Sequence, residues 1–283
     1  MSQICLSTTF LADQSPLRQA LEFCEKSVIT SIEIGSNHCY ESDYSYVKDY
    51  SFEYLVHNYF PVPKESFVVN IASLDENIHQ RSIKHIKDSI DFCSKINARL
   101  YTFHPGFLTD PKGPNLSNQN YDFQWDNEFV KKANYEMAWE RMVVAFQEIV
   151  NYAREKQVTI AFETEGSFHK KDHLMMQQPK EYERFLKLFS SDSIGINLNI
   201  GHLILAANAF GFSYQTFVDL IADYVVAMEL SHNNGVEDQH LPLQSDGWYW
   251  PLIFDKRFSE VKKILEFRNT NILKIKETLQ LFS

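Results

Sequence analysis

Residues 135–163 read YEMAWERMVVAFQEIVNYAREKQVTIAFE, and the change of period within them decides the fold. Trp139, Met142, Val143, Phe146, Ile149, Val150 and Ala153 recur at steps of three and four, which puts them on one face of a helix over Tyr135–Lys156. The period then shortens, and Thr159–Glu163 is a β-type run ending in a carboxylate. A helix that hands over to a short strand is part of a crossover unit, the connection that parallel strands require.

The same alternation extends in both directions. Strands are expected at Ile4–Thr8, Ser31–Gly35, Glu53–His57, Arg99–His104, Thr159–Glu163, Ile194–Asn199, Val225–Leu230 and Ile272–Lys276. Further helices are expected at Pro16–Ser27, Leu74–Asn97, Lys180–Ser190, Tyr214–Tyr224 and Ser259–Arg268. The run Ser73-Leu74-Asp75-Glu76 has the form of a capping box at the start of the second helix. An open doubly wound sheet is the alternative arrangement, but no G-x-G-x-x-G or P-loop pattern follows the first strand. Eight strands argue for closure, so the expected fold is a single (β/α)8 TIM-type barrel domain over residues 1–283. With its last strand at 272–276 the chain leaves room for only a stub of an eighth helix, so part of the barrel wall is expected to be open or covered by a partner, a homodimer being the expected assembly.

Composition narrows the partners. Lys+Arg 27 against Asp+Glu 37 gives a net charge of −10, which disfavours a nucleic-acid partner because phosphate binding needs a positive surface. Cys5, Cys24, Cys39 and Cys93 form no C-x-x-C pair, so reduced thiols in a cytoplasmic protein are expected rather than a disulfide framework. The first ten residues lack the basic start and apolar core of a signal peptide, and no apolar run is long enough to span a membrane.

On a barrel, the loops after the strands carry function. Two are long: residues 105–134, a lid or a dimer contact, and residues 231–257, which hold His240 and the aromatic run Trp248, Tyr249 and Trp250. Those aromatics either stack on a sugar ring, Trp248 foremost, or plug the mouth. The polar residues at strand ends are Glu33, His57, His104, Glu163, Asn199 with His202, Glu229, and Asp238 with His240. Each alone has a bland explanation as a satisfied, partly buried polar group. Together they are costly to assemble without a metal or substrate to offset repulsion and desolvation. Asp238 and His240 share one side of an extended chain, and His202 follows the neighbouring strand. Two imidazoles and a carboxylate with an open fourth position make a catalytic zinc arrangement.

The runs Leu55-Val56-His57-Asn58-Tyr59-Phe60-Pro61, Phe67-Val68-Val69-Asn70-Ile71-Ala72-Ser73, Tyr101-Thr102-Phe103-His104-Pro105-Gly106, Ile160-Ala161-Phe162-Glu163-Thr164-Glu165, Asn199-Ile200-Gly201-His202 and Asp238-Gln239-His240 resemble the xylose-isomerase-like barrel superfamily. That group includes sugar isomerases and epimerases and the endonuclease IV nucleases. The resemblance implies metal at the C-terminal mouth, with His202, Asp238 and His240 holding one ion. It implies a second ion on Glu163 and two histidines, of which only His104 is matched, because Ser73 stands in the other place. The metal position shared with the sugar isomerases would be met by Glu163, Asn199, Glu229 and a last ligand on the final strand, where Lys274, Lys276 or a shifted Glu277 stands.

Three functions follow. In the first, a sugar or sugar-phosphate isomerase or epimerase moves protons with Glu163 and Glu229 on opposite sides of a pocket, His104 nearby, and a divalent metal (Zn or Mn) or Lys276 polarising the oxygen. His57, Glu33, Asn199 and Trp248 would then bind the carbohydrate-type substrate. The second is zinc-dependent hydrolysis of a small phosphoester or sugar derivative at His202, Asp238 and His240. The third is a metal-free carbohydrate-binding barrel.

Overall fold

The computed structural model describes residues 4–27, 29–110, 132–166 and 174–282. Eight parallel strands close into one barrel in sequence order: β1 (Ile4–Ser7), β2 (Ser31–Ile34), β3 (Glu53–His57), β4 (Leu100–Phe103), β5 (Thr159–Glu163), β6 (Gly195–Asn199), β7 (Val225–Leu230) and β8 (Lys262–Leu265). Around them lie α1 (Leu17–Lys26), α2 (Glu76–Ile96), α3 (Lys132–Glu155), α4 (Pro179–Phe185), α5 (Ile200–Phe210), α6 (Tyr214–Ile221), α7 (Trp250–Ile253) and α8 (Ile272–Gln280). Only a short helical turn, Ser45–Asp49, bridges β2 and β3. The greater part of the 105–134 loop falls outside the described residues.

Strand alternation builds the interior. Cys5, Leu55, Leu100, Ala161, Ala227 and Ile264, one from each of six strands, pack together as an apolar plug inside the barrel. Two residues further along each chain the same face carries Ser7, His57, Thr102, Glu163, Glu229 and Glu266, all buried. Ser31 and Glu33 make the corresponding step on β2. The barrel is therefore apolar below and polar above, at the C-terminal ends of its strands. Register places Glu163 beside Asn197 and Asn199 beside Glu229.

Outward-facing side chains meet the helices. Phe162 packs against Phe146 of α3 and Phe185 of α4, with ring centroids 5.5 and 4.8 Å apart. Burying each such ring stabilises the fold by roughly 1.5–3 kcal/mol. At the start of α2 the cap is Asp75, whose carboxylate accepts from Asn77 N at 2.8 Å and Ile78 N at 3.1 Å. Ser73 belongs to the preceding turn, donating to Asp110 Oδ2 at 2.6 Å, so the capping-box expectation gives way to a single aspartate cap.

The largest correction concerns the last unit. The run Ile272–Lys276, expected as a strand, is the first part of α8, because Asn271 accepts from Leu273 N and Lys274 N and caps a helix there. The eighth strand lies within the segment expected as a helix over Ser259–Arg268, and it pairs with both β1 and β7. The apolar residues around it recur at helical steps, an ambiguity that short buried strands share with helices. The last unit consequently has a helix of its own, with Ile275 in the core, in place of the expected stub. A further helix, α5, starts directly at the end of β6 and was not expected.

Candidate active site

A cavity of about 290 Å³ opens at the C-terminal mouth, lined by His57, Asn58, His104, Glu163, His240, Glu266 and Arg268 among others. His57 ends β3, Glu163 ends β5, and His104 and Glu266 follow β4 and β8 directly. His202 stands in the first turn of α5, and the loop after β7 brings Asp238 and His240 to it.

The titratable groups form three clusters, in each of which the potential ligand atoms lie within 4.8 Å of one another: His57 with His104 and Glu163, His202 with Asp238 and His240, and Glu33 with His57 and Glu229. In the first, Glu163 Oε2 lies 3.7 Å from both His57 Nε2 and His104 Nδ1. It is buried and has no hydrogen-bond partner among the described residues. Those separations are too long for hydrogen bonds, yet the one from His57 Nε2 is about the spacing of two atoms that each sit about 2.0–2.2 Å from one zinc ion.

The second cluster makes a stronger argument. His202 Nδ1 lies 2.9 Å from the Thr164 carbonyl, which only accepts, so this nitrogen carries the proton. Its Nε2 faces Asp238 Oδ2 at 3.3 Å. His240 sets Nδ1 3.0 Å from Glu266 Oε2 and Nε2 3.0 Å from the same Asp238 oxygen. In their neutral forms both rings would aim a lone pair at a carboxylate, so a proton or a cation belongs between them. An imidazole anchored through one nitrogen by a carbonyl or carboxylate is the arrangement of metal-ligating histidines. His104 Nδ1 is likewise anchored, 2.8 Å from Glu165 Oε1, which leaves Nε2 as the nitrogen it could offer a cation. The donor set and geometry fit a divalent cation.

Beneath the cavity floor, Asn199 Nδ2 donates to Glu163 Oε1 at 2.9 Å and to Glu229 Oε2 at 3.0 Å, and Asn197 Nδ2 donates to Glu229 Oε1 at 2.6 Å. The position between Glu163 and Glu229 is thus filled by an N–H group. The isomerase-type set of Glu163, Asn199 and Glu229 does not fit a cation in this arrangement.

Charge follows these contacts. Burial acts to raise the Glu163 pKa, but the charge of His104 and the contacts with His202 and His57 hold it below the usual carboxylate range. Burial acts to lower His104, and Glu163 and Glu165 outweigh it, raising it to about 9. The balance is similar at His240, where Asp238 and Glu266 raise it to about 9 against burial. Against burial, too, Asp238 and Glu163 raise His202 well above its ordinary value. Burial pushes His57 down to about 4, leaving it neutral. Burial and then the neighbouring carboxylates push Glu229 and Glu33 well up.

Of the residues expected from sequence, Glu33, His57, His104, Glu163, Asn199, His202, Glu229, Asp238 and His240 converge here. Glu33 and Glu229 lie under the cavity and do not line it, so Glu229 is not the opposite wall from Glu163. His57, not Ser73, supplies the second imidazole beside Glu163. Lys276 is exposed on α8, and Lys274 pairs with Glu277 at the surface, so none of the three reaches the mouth. Trp248 does not line the cavity; it packs edge-on against Tyr214, with ring centroids 4.8 Å apart. Glu266 and Arg268 were missed with the eighth strand. Ile264-Leu265-Glu266 has the same form as Ala161-Phe162-Glu163 and Ala227-Met228-Glu229, and that repetition was the available signal.

A family model described as a xylose isomerase-like TIM barrel matches residues 45–278. An uncharacterized protein of Methanocaldococcus jannaschii is 25% identical over 240 residues, covering 83% of this chain and 79% of that protein. Among solved structures, a D-tagatose 3-epimerase-like protein superposes with a TM-score of 0.72 at 18% identity, over 99% of this chain and 95% of the other. A D-psicose 3-epimerase determined in the presence of D-fructose gives 0.66 at 11% identity, over 99% and 96%. At those identities the likeness is one of fold. Among the described residues, no helix is long and apolar enough to cross a membrane.

Proposed function

The chain belongs to the xylose isomerase-like TIM barrel family, and from that premise we propose that it is a metal-assisted isomerase or epimerase of a small sugar-class substrate. One observation carries the reading: Glu163 is held anionic among three imidazoles while its Oε2, buried and without a hydrogen-bond partner among the described residues, belongs to a residue lining the cavity.

Glu163 Oε2 takes the proton from the carbon next to the substrate carbonyl. Glu266, which follows β8 directly in the same cavity lining and which, against burial, His240 holds below the usual carboxylate range, takes up a solvent proton and delivers it from another side, replacing Glu229 in the role expected from sequence. Asn199 holds Glu163 in place from below through its Oε1. Asn58 Oδ1, buried in the lining without a partner among the described residues, accepts from a substrate hydroxyl. A divalent cation, Zn or Mn, would be held by His202, Asp238 and His240, leaving Glu163 free as the base, and would supply Lewis-acid polarisation of the substrate oxygen.

The test is incorporation of solvent deuterium into ketohexoses such as D-psicose and D-tagatose, followed by NMR in D2O with Zn or Mn added. A positioned base contributes about 10²–10⁴-fold, so Glu163→Gln and Glu266→Gln should each slow exchange by at least about 10²-fold. Exchange at the wild-type rate in both variants would sink the proton-transfer mechanism.

A second reading, zinc-dependent hydrolysis of a small phosphoester or sugar derivative, is favoured by the convergence of His202 and His240 on one oxygen of Asp238. Phosphoester turnover lost in His240→Ala and retained in Glu266→Gln would select it.

A further inference from the structure

We propose that Asn233 is a positioning residue of the barrel mouth: its buried amide ties the loop bearing Asp238 and His240 to the helix turn bearing His202, so that the three side chains meet at a spacing a cation can use. The inference rests on the reading of those three residues as the cation set, and adds to it a residue that does not line the cavity.

The cation set is assembled from two elements that have to be brought into register. His202 stands in the first turn of α5, whereas Asp238 and His240 lie on the loop after β7. Asn233, buried at 6% exposure, joins the two. Its Nδ2 donates to the Gly201 carbonyl at 3.0 Å, one residue before His202, and its Oδ1 accepts from Gly235 N at 2.9 Å. One amide thus spends its donor on the helix and its acceptor on the loop. Turned over, it would set an oxygen against the Gly201 carbonyl and an NH2 against the Gly235 N–H, so a single orientation satisfies both bonds. Gly201 allows the close approach: a Cβ there would stand 3.1 Å from Asn233 Nδ2 and 3.1 Å from Ser231 Oγ.

The loop itself is built from local bonds. His232 and Leu241 exchange both backbone hydrogen bonds, at 2.7 and 2.9 Å, and close its base. At its tip, Asn234 Oδ1 accepts from Val236 N and Glu237 N, both at 2.9 Å, and Gln239 Oε1 accepts from Asn234 N at 3.0 Å. Those bonds fix the shape of the loop and not its placement on α5. Placement needs bonds that cross to the helix, and the buried one from Asn233 lies next to His202. An exposed bond, from Asn208 Nδ2 to Gly235 O at 3.0 Å, crosses two turns further along. Water competes for an exposed bond far more than for a buried one, so Asn233 dominates the docking.

The experiment measures Zn²⁺ affinity by competition with a chromogenic chelator, and the visible absorption of Co²⁺ loaded in its place, on wild type, Asn233→Ser and His240→Ala, with folding checked by circular dichroism. A serine can still accept from the Gly235 N–H, as serine hydroxyls do in turns, but is too short to reach Gly201 O. Removing a partner that orients metal ligands typically costs about 10–100-fold in affinity, so folded Asn233→Ser should bind Zn²⁺ at least about tenfold more weakly and with an altered Co²⁺ spectrum. Wild-type affinity and spectrum in Asn233→Ser, with the ion lost in His240→Ala, would overturn the positioning role and leave the cation set standing. Wild-type affinity in His240→Ala would overturn both. If Asn233→Ser does not fold, amide hydrogen exchange on wild type decides. Linkage requires Zn²⁺ to favour docking of the loop by the factor with which docking favours Zn²⁺, so exchange at Gly235 N–H should slow when Zn²⁺ is added, and an unchanged rate would overturn the proposal.

Discussion

Asn199 Oδ1 accepts from the backbone N–H of His202 at 3.1 Å. That bond caps α5 and fixes the orientation of the amide, because the oxygen is committed to the helix and the NH2 must face the other way. The other way lie Glu163 and Glu229. A helix cap therefore decides which positions at the barrel mouth are open to a cation.

Replacing Asn199 with Asp tests this coupling. The substitution keeps the cap but exchanges two donors for an acceptor between two buried carboxylates. Without metal, Asn199→Asp should lose at least about 2 kcal/mol, since hydrogen bonds to charged groups contribute about 1.5–3 kcal/mol each. Added Mn²⁺ should recover more stability in the variant than in wild type, with about 2.7 kcal/mol available at a hundredfold excess over the dissociation constant. Urea denaturation with and without Mn²⁺ measures both. A metal-free variant as stable as wild type would show that the amide does not separate the carboxylates.

How much of this was legible in the sequence depended on period. Leu55 with His57, Ala161 with Glu163 and Ala227 with Glu229 share the step from an apolar to a polar residue on one strand face, so the strands and their functional ends could be read together. At β8 the apolar spacing imitated a helix, and Glu266 was lost with it. Helix α5 begins at a strand end and is buried on most sides, so it offers no amphipathic stripe to read. The orientation of the Asn199 amide depends on where that helix starts, and His57 meets His104 and Glu163 only through the side-by-side pairing of β3, β4 and β5. Local patterns carry neither relationship.

Asp75 at the start of α2 accepts from two backbone N–H groups that have no partner within the helix. Asp75→Ala should cost about 1 kcal/mol, within a range of about 0.5–2, and leave metal content unchanged. Thermal and urea denaturation measure the first, and elemental analysis the second. A loss of metal would mean that the α2 cap reaches the mouth through the Ser73–Asp110 bond nearby.

His85 illustrates how pH acts on the fold away from the mouth clusters. Its Nε2–H donates to the Asn58 carbonyl at 3.2 Å, and burial lowers its pKa against the help of that carbonyl. The unfolded chain, with histidine near about 6.5, takes up a proton at a higher pH than the folded chain does. The contribution of His85 is therefore complete above about pH 6.5 and declines as pH falls below it, by at most about 1.4 kcal/mol per pH unit. Burial lowers His38 as well, so the trend should be shared. Urea midpoints between pH 7.5 and 5.5 should fall in wild type and fall less steeply in His85→Gln. Parallel slopes would mean that His85 titrates alike in both states.

Gly166 sets the limit on how closely the strand-end loop after β5 can approach α5. A Cβ on residue 166 would stand 2.0 Å from the carbonyl oxygen of His202 and 2.9 Å from its Cα, backbone atoms that cannot turn aside as a side chain would. Gly166→Ala must then move either the loop bearing Glu163 and Glu165 or the first turn of α5 bearing His202. Overpacking of this kind costs about 1–3 kcal/mol. Either movement also alters the alignment of His202 with Thr164 O and Asp238, on which the second cluster depends. The expected result is a lowered melting temperature together with weaker Zn²⁺ binding, the latter read by competition with a chromogenic chelator. Stability lost with Zn²⁺ affinity intact would show that the loop yields and α5 does not. Unchanged affinity in both Gly166→Ala and His202→Ala would remove His202 from the metal set.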